Sequence, residues 1–311
     1  MSALIRQNVL APVLPEKDQI KIHWSRLYGS AKSLAIARML EKIKTPIVVI
    51  TTDVLTAVNL VSELQHYVKN SEINKIRYFP DWETLPYDIF SPYQDIISER
   101  LKILFELTNL SSGILVVPIT TLMHRLLPIN HLLENVFSLD VGQKINLEDF
   151  KNKLSQQGYN FVTQVTEHGE VSIRGSLIDV YPMGKSTPFR VDLFDNEIDS
   201  IRLFNAETQR SIEAISSLRI LPAREISLTD ENIARFRENW RSYFQGNPNQ
   251  CPMYRDVSQS LAPAGVEYYL PLFYKETSTL FDYIDDNSIL IFDEEVSIVA
   301  ESFLEDIASR Y

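Results

Sequence analysis

The amino-acid sequence predicts an α/β protein in which an α+β segment stands between two α/β flanks. Two observations carry this. In the flanks, continuous apolar runs of strand length, Pro46–Thr51 and Gly113–Pro118, alternate with segments of helical period, the pattern of a parallel sheet covered on both faces. In the middle, residues 168–204 read as three strands in close succession: Phe189, Val191 and Leu193 alternate with Arg190, Asp192 and Phe194, the period-2 signature of a strand with one buried side. A length of 311 residues with 45% hydrophobic content suits two or three domains with real cores.

Taken in order, a polar arm with Pro12 and Pro15 leads into weak alternation over 20–28. Ser30 then stands as N-cap of an apolar-periodic run, Leu34, Ile36, Ala37, Met39 and Leu40, ending near Lys44. The strand from Pro46 follows, then a helix over 54–69 and a short strand over 76–79. A helix over 95–107 turns Ile96, Ile97, Leu101 and Leu104 inward. After the strand from Gly113, residues 120–126 form a short helix, and the first domain is assigned to 1–135. The second domain, 136–221, opens on a strand at Phe137. Asn146 caps a helix over 147–157 that Gly158 closes, and the strands of 168–204 and 217–222 complete an antiparallel sheet with that helix packed on it. The third domain, 222–311, begins with a helix over 232–244 that carries Ile233, Phe236, Trp240 and Phe244 at three- and four-residue spacing and stops at Gly246. An apolar run over 264–274 leads to a last buried strand over 288–292 and a helix from Val296. That helix reaches Tyr311 without a C-cap, as expected of a piece of a longer protein.

Composition narrows the function classes. Glycine is scarce, 9 residues, or about 3% against a usual 7%, which disfavours glycine-built phosphate loops. The single cysteine, Cys251, leaves no intrachain disulfide and suits a reducing compartment. No long apolar run or signal segment is present, so a cytoplasmic protein without a membrane span is expected. Of the net charge of -11, residues 267–311 carry -9, with eleven acids against Lys275 and Arg310. The chain lacks the basic footprint of a nucleic-acid binder. His23, His66, His124, His131 and His168 show no metal-ligand spacing, so neither a metal nor a cofactor is expected.

Three groups of residues are candidates for chemistry. Gly29, Lys32 and Ser33 sit as in a phosphate loop opening a helix, and Asp293 and Glu294 end an apolar strand as in a Walker B segment. Arg26 and Ala31, however, occupy the positions where such a loop needs glycine. An ordinary capped helix is the plainer reading, and with no second motor lobe or arginine finger turnover is expected to be negligible. Trp82, Tyr87, Phe90 and Tyr93 could stack bases, but the acids and prolines among them favour a packed loop. Arg174, Arg190 and Phe194 lie on the outward side of their strands, the composition of an interface hot spot. The plainer alternative is two solvated arginines paired with Asp192 or Glu170, which would contribute little.

Residues 81–88 (DWETLPYD), 91–98 (SPYQDIIS), 167–170 (EHGE), Arg174 with Gly175, 181–184 (YPMG), 194–200 (FDNEIDS) and 265–273 (GVEYYLPLF) resemble the N-terminal, UvrB-like region of the bacterial transcription-repair coupling factors, the Mfd family. The resemblance implies a degenerate RecA-like, UvrB-like parallel-sheet domain formed by both flanks, with the α+β domain inserted. It implies loss of the intact phosphate loop and of the DNA-clamping hairpin of UvrB, leaving ATP-driven action and direct damaged-DNA binding as the alternatives to a binding role. It implies that Arg174, Arg190 and Phe194 contact UvrA, so that the chain recruits excision repair to stalled RNA polymerase. Polymerase, DNA, ATP and magnesium would be engaged by domains absent from this sequence, and a C-terminal domain would mask the UvrA surface until activation.

Overall fold

The computed structural model describes residues 8–14 and 21–310. In chain order its regular elements are α1 (Ala31–Leu40), β1 (Pro46–Thr51), α2 (Val54–Tyr67), β2 (Ile76–Tyr78), α3 (Gln94–Leu107), β3 (Gly113–Pro118), α4 (Ile119–Leu122), α5 (Ile129–Glu134), β4 (Phe137–Asp140), α6 (Leu147–Gln156), β5 (Asn160–Phe161), β6 (Glu170–Arg174), β7 (Leu177–Val180), β8 (Phe189–Phe194), β9 (Glu197–Phe204), β10 (Ser211–Ile215), β11 (Ser217–Ile220), α7 (Asp230–Tyr243), α8 (Pro252–Ser258), α9 (Leu280–Tyr283), β12 (Ile289–Phe292) and α10 (Val296–Arg310). Short 3-10 turns lie at Asn70–Lys75, Pro248–Gln250 and Val266–Leu272. The fold is mixed α/β, with one parallel sheet and two further sheets built largely of antiparallel pairs.

The chain divides into two compact units. The first gathers the residues up to Asp81 with Asn109–Met123 and Ile284–Ala308. Its sheet runs β12-β1-β3-β2, every pair parallel. β1 and β3 occupy the centre, and every residue of both is buried, which is why they read as unbroken apolar runs. Ile47, Val49, Ile114 and Val116 pack with Ile36, Met39, Leu60 and Leu64 of the two helices on that side. α2 is held at its start by Asp53, whose carboxylate accepts the Thr56 amide at 2.8 Å.

Several expectations for this unit need correction. No strand forms over 21–28; Ile20 lies outside the described residues, as do Pro15 and Tyr311. Ser30 does not cap α1: its hydroxyl turns to Glu63, at 3.4 Å. That helix ends at Leu40, where the Lys42 and Ile43 amides both turn back onto the Met39 carbonyl at 2.9 Å. The short helix near 120 is a single turn, Ile119–Leu122. β12, expected to be buried, is the edge of its sheet, with Leu290 38% and Phe292 55% exposed while Ile289 and Ile291 pack inward.

The second unit gathers Trp82–Thr108 and His124–Tyr283. Its six-stranded sheet runs β10-β9-β8-β7-β6-β5, antiparallel apart from the β5–β6 pair, and β4 and β11 form a separate antiparallel pair. Asn146 caps α6 by accepting the Glu148 and Asp149 amides, and Gly158 closes that helix at φ +86. Residues 168–204 hold four strands, not three. Gly175, at φ +62, makes a tight turn that splits β6 from the four-residue β7 and leaves Arg174 paired with Leu177. On β8 the expected alternation holds, with Phe189, Val191 and Leu193 buried. On β6 it does not, because Ser172 is buried on the outward side and its hydroxyl donates to the Thr163 carbonyl at 3.1 Å.

A candidate partner surface on the antiparallel sheet

The register across β6, β7 and β8 decides which side chains meet. Asp179 stands opposite Arg190 on one side and Ser172 on the other, and the next row holds Arg174, Leu177 and Asp192. Asp179 is therefore the direct cross-strand neighbour of Arg190 and the diagonal neighbour of Arg174, distances that long side chains span easily. Both arginines converge on it. Arg190 places Nε on Oδ1 at 2.7 Å and Nη2 on Oδ2 at 2.8 Å, and Arg174 places Nη2 on the same Oδ2 at 2.6 Å.

The two arginines are not equivalent. Arg190 also donates Nη1 to the Gln209 carbonyl at 3.3 Å, lies 4.8 Å above the Phe204 ring, and has a side chain only 17% exposed. Its hydrogen bonds to Asp179 push its pKa above the ordinary guanidinium value. Arg174 pairs with Asp179 and keeps half of its side chain, 51%, in solvent. Phe194 ends β8 and is 75% exposed. Antiparallel pairing puts it at the end of the sheet where the Arg174–Gly175 turn lies, and the Leu193 amide bonds the Ser176 carbonyl there at 2.9 Å. An exposed ring and a half-exposed guanidinium thus stand at one end of a rigid sheet, a combination suited to binding a protein surface.

Among the described residues neither arginine forms an ion pair with Asp192 or Glu170, although the Asp192 charge acts on Arg190 from a distance. Asp192 takes the Ser200 hydroxyl at 3.1 Å and Arg202 at 3.7 Å, while Glu170 accepts the Thr166 and Glu167 amides. Asp179 is not singled out by the sequence reading, although an acid inside the run Leu177, Ile178, Asp179, Val180 is a signal, since a carboxylate buried there needs a cation or hydrogen-bond donors to hold it.

The other candidates fall in two places. In the parallel-sheet unit, Lys32 Nζ pairs with both oxygens of Asp293, at 2.9 and 3.0 Å, so the two distant residues do meet. Ser33 is buried and its hydroxyl donates to Glu63, which also faces the Ser30 hydroxyl. Gly29, at φ +56, has open space around it, and Glu294 is exposed. Arg26 holds a left-handed φ of +60 without being glycine. A carboxylate of the chain itself thus stands on the two hydroxyls at the start of α1. In the other unit the aromatic loop is packed at Trp82, which is stacked on His124 at 4.6 Å, and at Tyr87, whose ring stands edge-on to Tyr269 at 6.0 Å; Phe90 and Tyr93 are 60% and 80% exposed, so the expectation of a packed loop fails for those two. Among the described residues no group of three or more His, Cys, Asp and Glu side chains is placed to hold a metal ion, and no helix is long and apolar enough to cross a membrane.

Residues 137–226, from the start of β4 past the end of β11, match the family described as the UvrB interaction domain. Arg174, Asp179, Arg190 and Phe194 all lie within that match. Most of the chain is similar to bacterial transcription-repair-coupling factors. It is 42% identical over 283 residues to that of Haemophilus influenzae, covering 90% of this chain and 24% of the relative. For Escherichia coli the figures are 38% over 299 residues, 96% and 26%, and for Bacillus subtilis 29% over 284 residues, 86% and 24%. The resemblance read in the sequence is borne out, and the chain spans about a quarter of the length of these relatives.

Proposed function

We propose that this chain is a non-catalytic recruitment module of transcription-coupled repair, which binds UvrA through Arg174, Arg190 and Phe194 and so brings excision repair to stalled RNA polymerase. The observation that carries the reading is the exposed Phe194 at the Arg174 end of a sheet lying within the UvrB interaction domain match. Arg174 supplies a directional donor to an acceptor oxygen, Phe194 supplies apolar area, and the buried sheet beneath keeps both from yielding. In the longer protein, other domains would engage polymerase and DNA, with their own ATP and magnesium, and a C-terminal domain would cover this face until activation. The setting is the cytoplasm.

Titration of the chain with purified UvrA tests this. Phe194→Ala and Arg190→Glu are each expected to weaken binding by about 2 kcal/mol or more, roughly thirtyfold. Arg174→Lys should also weaken it, because an ammonium cannot reproduce the planar fork. Parent-like affinity in Arg190→Glu would remove the site assignment.

The Lys32–Asp293 contact favours a second reading, a nucleotide-binding lobe. Against it, Glu63 brings negative charge to the α1 hydroxyls, where a phosphate would have to approach. Calorimetry with ATP and magnesium is expected to show no saturable heat. Micromolar binding lost in Lys32→Ala would revive the nucleotide reading.

A further inference from the structure

We infer that Asp179 is the positioning residue of the partner surface: one buried carboxylate that fixes two arginines so that Arg174 offers its remaining donors outward in a set orientation. The inference rests on the UvrA-binding reading and adds to it a residue that the partner cannot touch.

The geometry separates what Asp179 needs from what it holds. A carboxylate only 1% exposed must be paired. Arg190 already meets that need, since its Nε and Nη2 take both oxygens, while its Nη1 donates to the Gln209 carbonyl, the guanidinium lies over the Phe204 ring, and 17% of the side chain stays exposed. Arg174 is therefore surplus to neutralising Asp179, yet it is drawn to the same oxygen at 2.6 Å. Two like charges are held side by side by a single negative one, which leaves a net positive cluster with its exposed member at the rim. Of the Arg174 guanidinium, only Nη2 is engaged there. Its other N–H groups point to a complementary group with two acceptor oxygens, a carboxylate of the partner. Holding the side chain beforehand removes rotamer freedom that binding would otherwise have to remove.

Because Asp179 has almost no surface of its own, any effect of changing it on binding must pass through the arginines. Four chains are compared: the parent, Asp179→Asn, Arg174→Ala and the double variant, each titrated with UvrA and each melted. Asp179→Asn is expected to weaken binding at least about tenfold alone, and by no more than about threefold when Arg174 is already alanine, the remainder being what Asp179 exerts through Arg190. A purely structural role would lower affinity by the same factor in both backgrounds, and that result overturns the inference, as does parent-like binding by Asp179→Asn. Should Asp179→Asn fail to fold, Asp179→Glu decides: it keeps the charge but moves it by one methylene, so a loss of affinity that shrinks in the Arg174→Ala background supports positioning, and parent-like affinity or an equal loss in both backgrounds refutes it.

A partner-free readout separates this from the recruitment reading. In chain carrying isotope-labelled arginine, the Arg190 Nε–H signal is expected to be protected from exchange, and the Arg174 guanidinium restricted; Asp179→Asn should release both. If the parent gives no saturable titration with UvrA, the recruitment reading falls, while an unchanged arginine spectrum in Asp179→Asn sinks the orientation by Asp179.

Discussion

Asp53 and Glu267 are two carboxylates on which the structure acts in opposite directions. At the start of α2, hydrogen bonding from the Thr56 amide holds the Asp53 pKa below the usual carboxylate value. Its stabilising effect is therefore present above the unfolded pKa and lost as pH falls through the folded one. Asp53→Ala is expected to cost about 1 kcal/mol at neutral pH, with the difference from the parent closing in acid, as read by urea titration at both. Glu267 is the reverse case: burial pushes its pKa up, although the Ser91 hydroxyl donates to its oxygens at 3.0 and 2.9 Å and offsets part of that. The folded chain then binds the proton more tightly than the unfolded one, so stability declines as pH rises from the unfolded pKa through the folded one. Glu267→Gln should be more stable than the parent at neutral pH and lose that advantage in acid. The contrast also shows what a sequence can disclose about single residues. Arg190 and Phe194 were legible because alternation on β8 assigns a side to each. Asp179, Glu63 and Glu267 were not, because their roles depend on which distant residue arrives opposite them.

Gly265 does for a loop what Asp53 does for a helix. It holds φ +80, and a Cβ there would stand 2.2 Å from the Asp88 carbonyl oxygen, so the backbone of 88–89 can lie against it only because no side chain is present. The Ser91 hydroxyl accepts the Gly265 amide at 3.1 Å and the Tyr268 hydroxyl donates to the Thr84 carbonyl at 2.6 Å, which ties the same loop down twice more. Gly265→Ala combines a left-handed φ with a backbone clash and is expected to cost about 2 kcal/mol or more, with faster amide exchange across 84–91 as its local signature. Where elements were legible, burial had left an unambiguous pattern. β1 and β3 are central and apolar throughout, and α6 carries its cap and its closing glycine in order. β12 is as apolar as the middle of β1, and only pairing distinguishes an edge from a centre. The four-residue β7 escaped notice because a strand so short gives alternation too few positions to register.

The antiparallel unit is assembled from segments far apart in the chain, and one ionic knot joins them. Arg100 on α3 is fully buried and its Nε meets Glu225 Oε1 at 2.5 Å; Trp82 Nε1 donates to the same oxygen at 3.3 Å, and the Tyr274 hydroxyl donates to the Glu225 carbonyl at 2.9 Å. The Arg100 guanidinium also lies 4.9 Å over the Trp82 ring. The helical period of α3 marked Ile97, Leu101 and Leu104 as inward but passed over Arg100 between them, since an arginine on an apolar face is ordinarily a surface residue. Arg100→Met would fill the space but leave the Glu225 carboxylate, 2% exposed, without its cation. Breaking a buried pair in this way costs about 3–5 kcal/mol, a large part of the roughly 5–15 kcal/mol typical of a folded domain. At about 2–4 °C per kcal/mol for a unit of this size, the melting temperature should fall by roughly 6–20 °C. Adding Glu225→Gln removes the stranded charge while an amide oxygen remains for the Trp82 N–H, so the double variant is expected to melt above Arg100→Met alone. Calorimetry on the parent, both single variants and the double variant tests the knot, and a double variant no more stable than Arg100→Met would show that lost packing, not a stranded carboxylate, is what the arginine prevents.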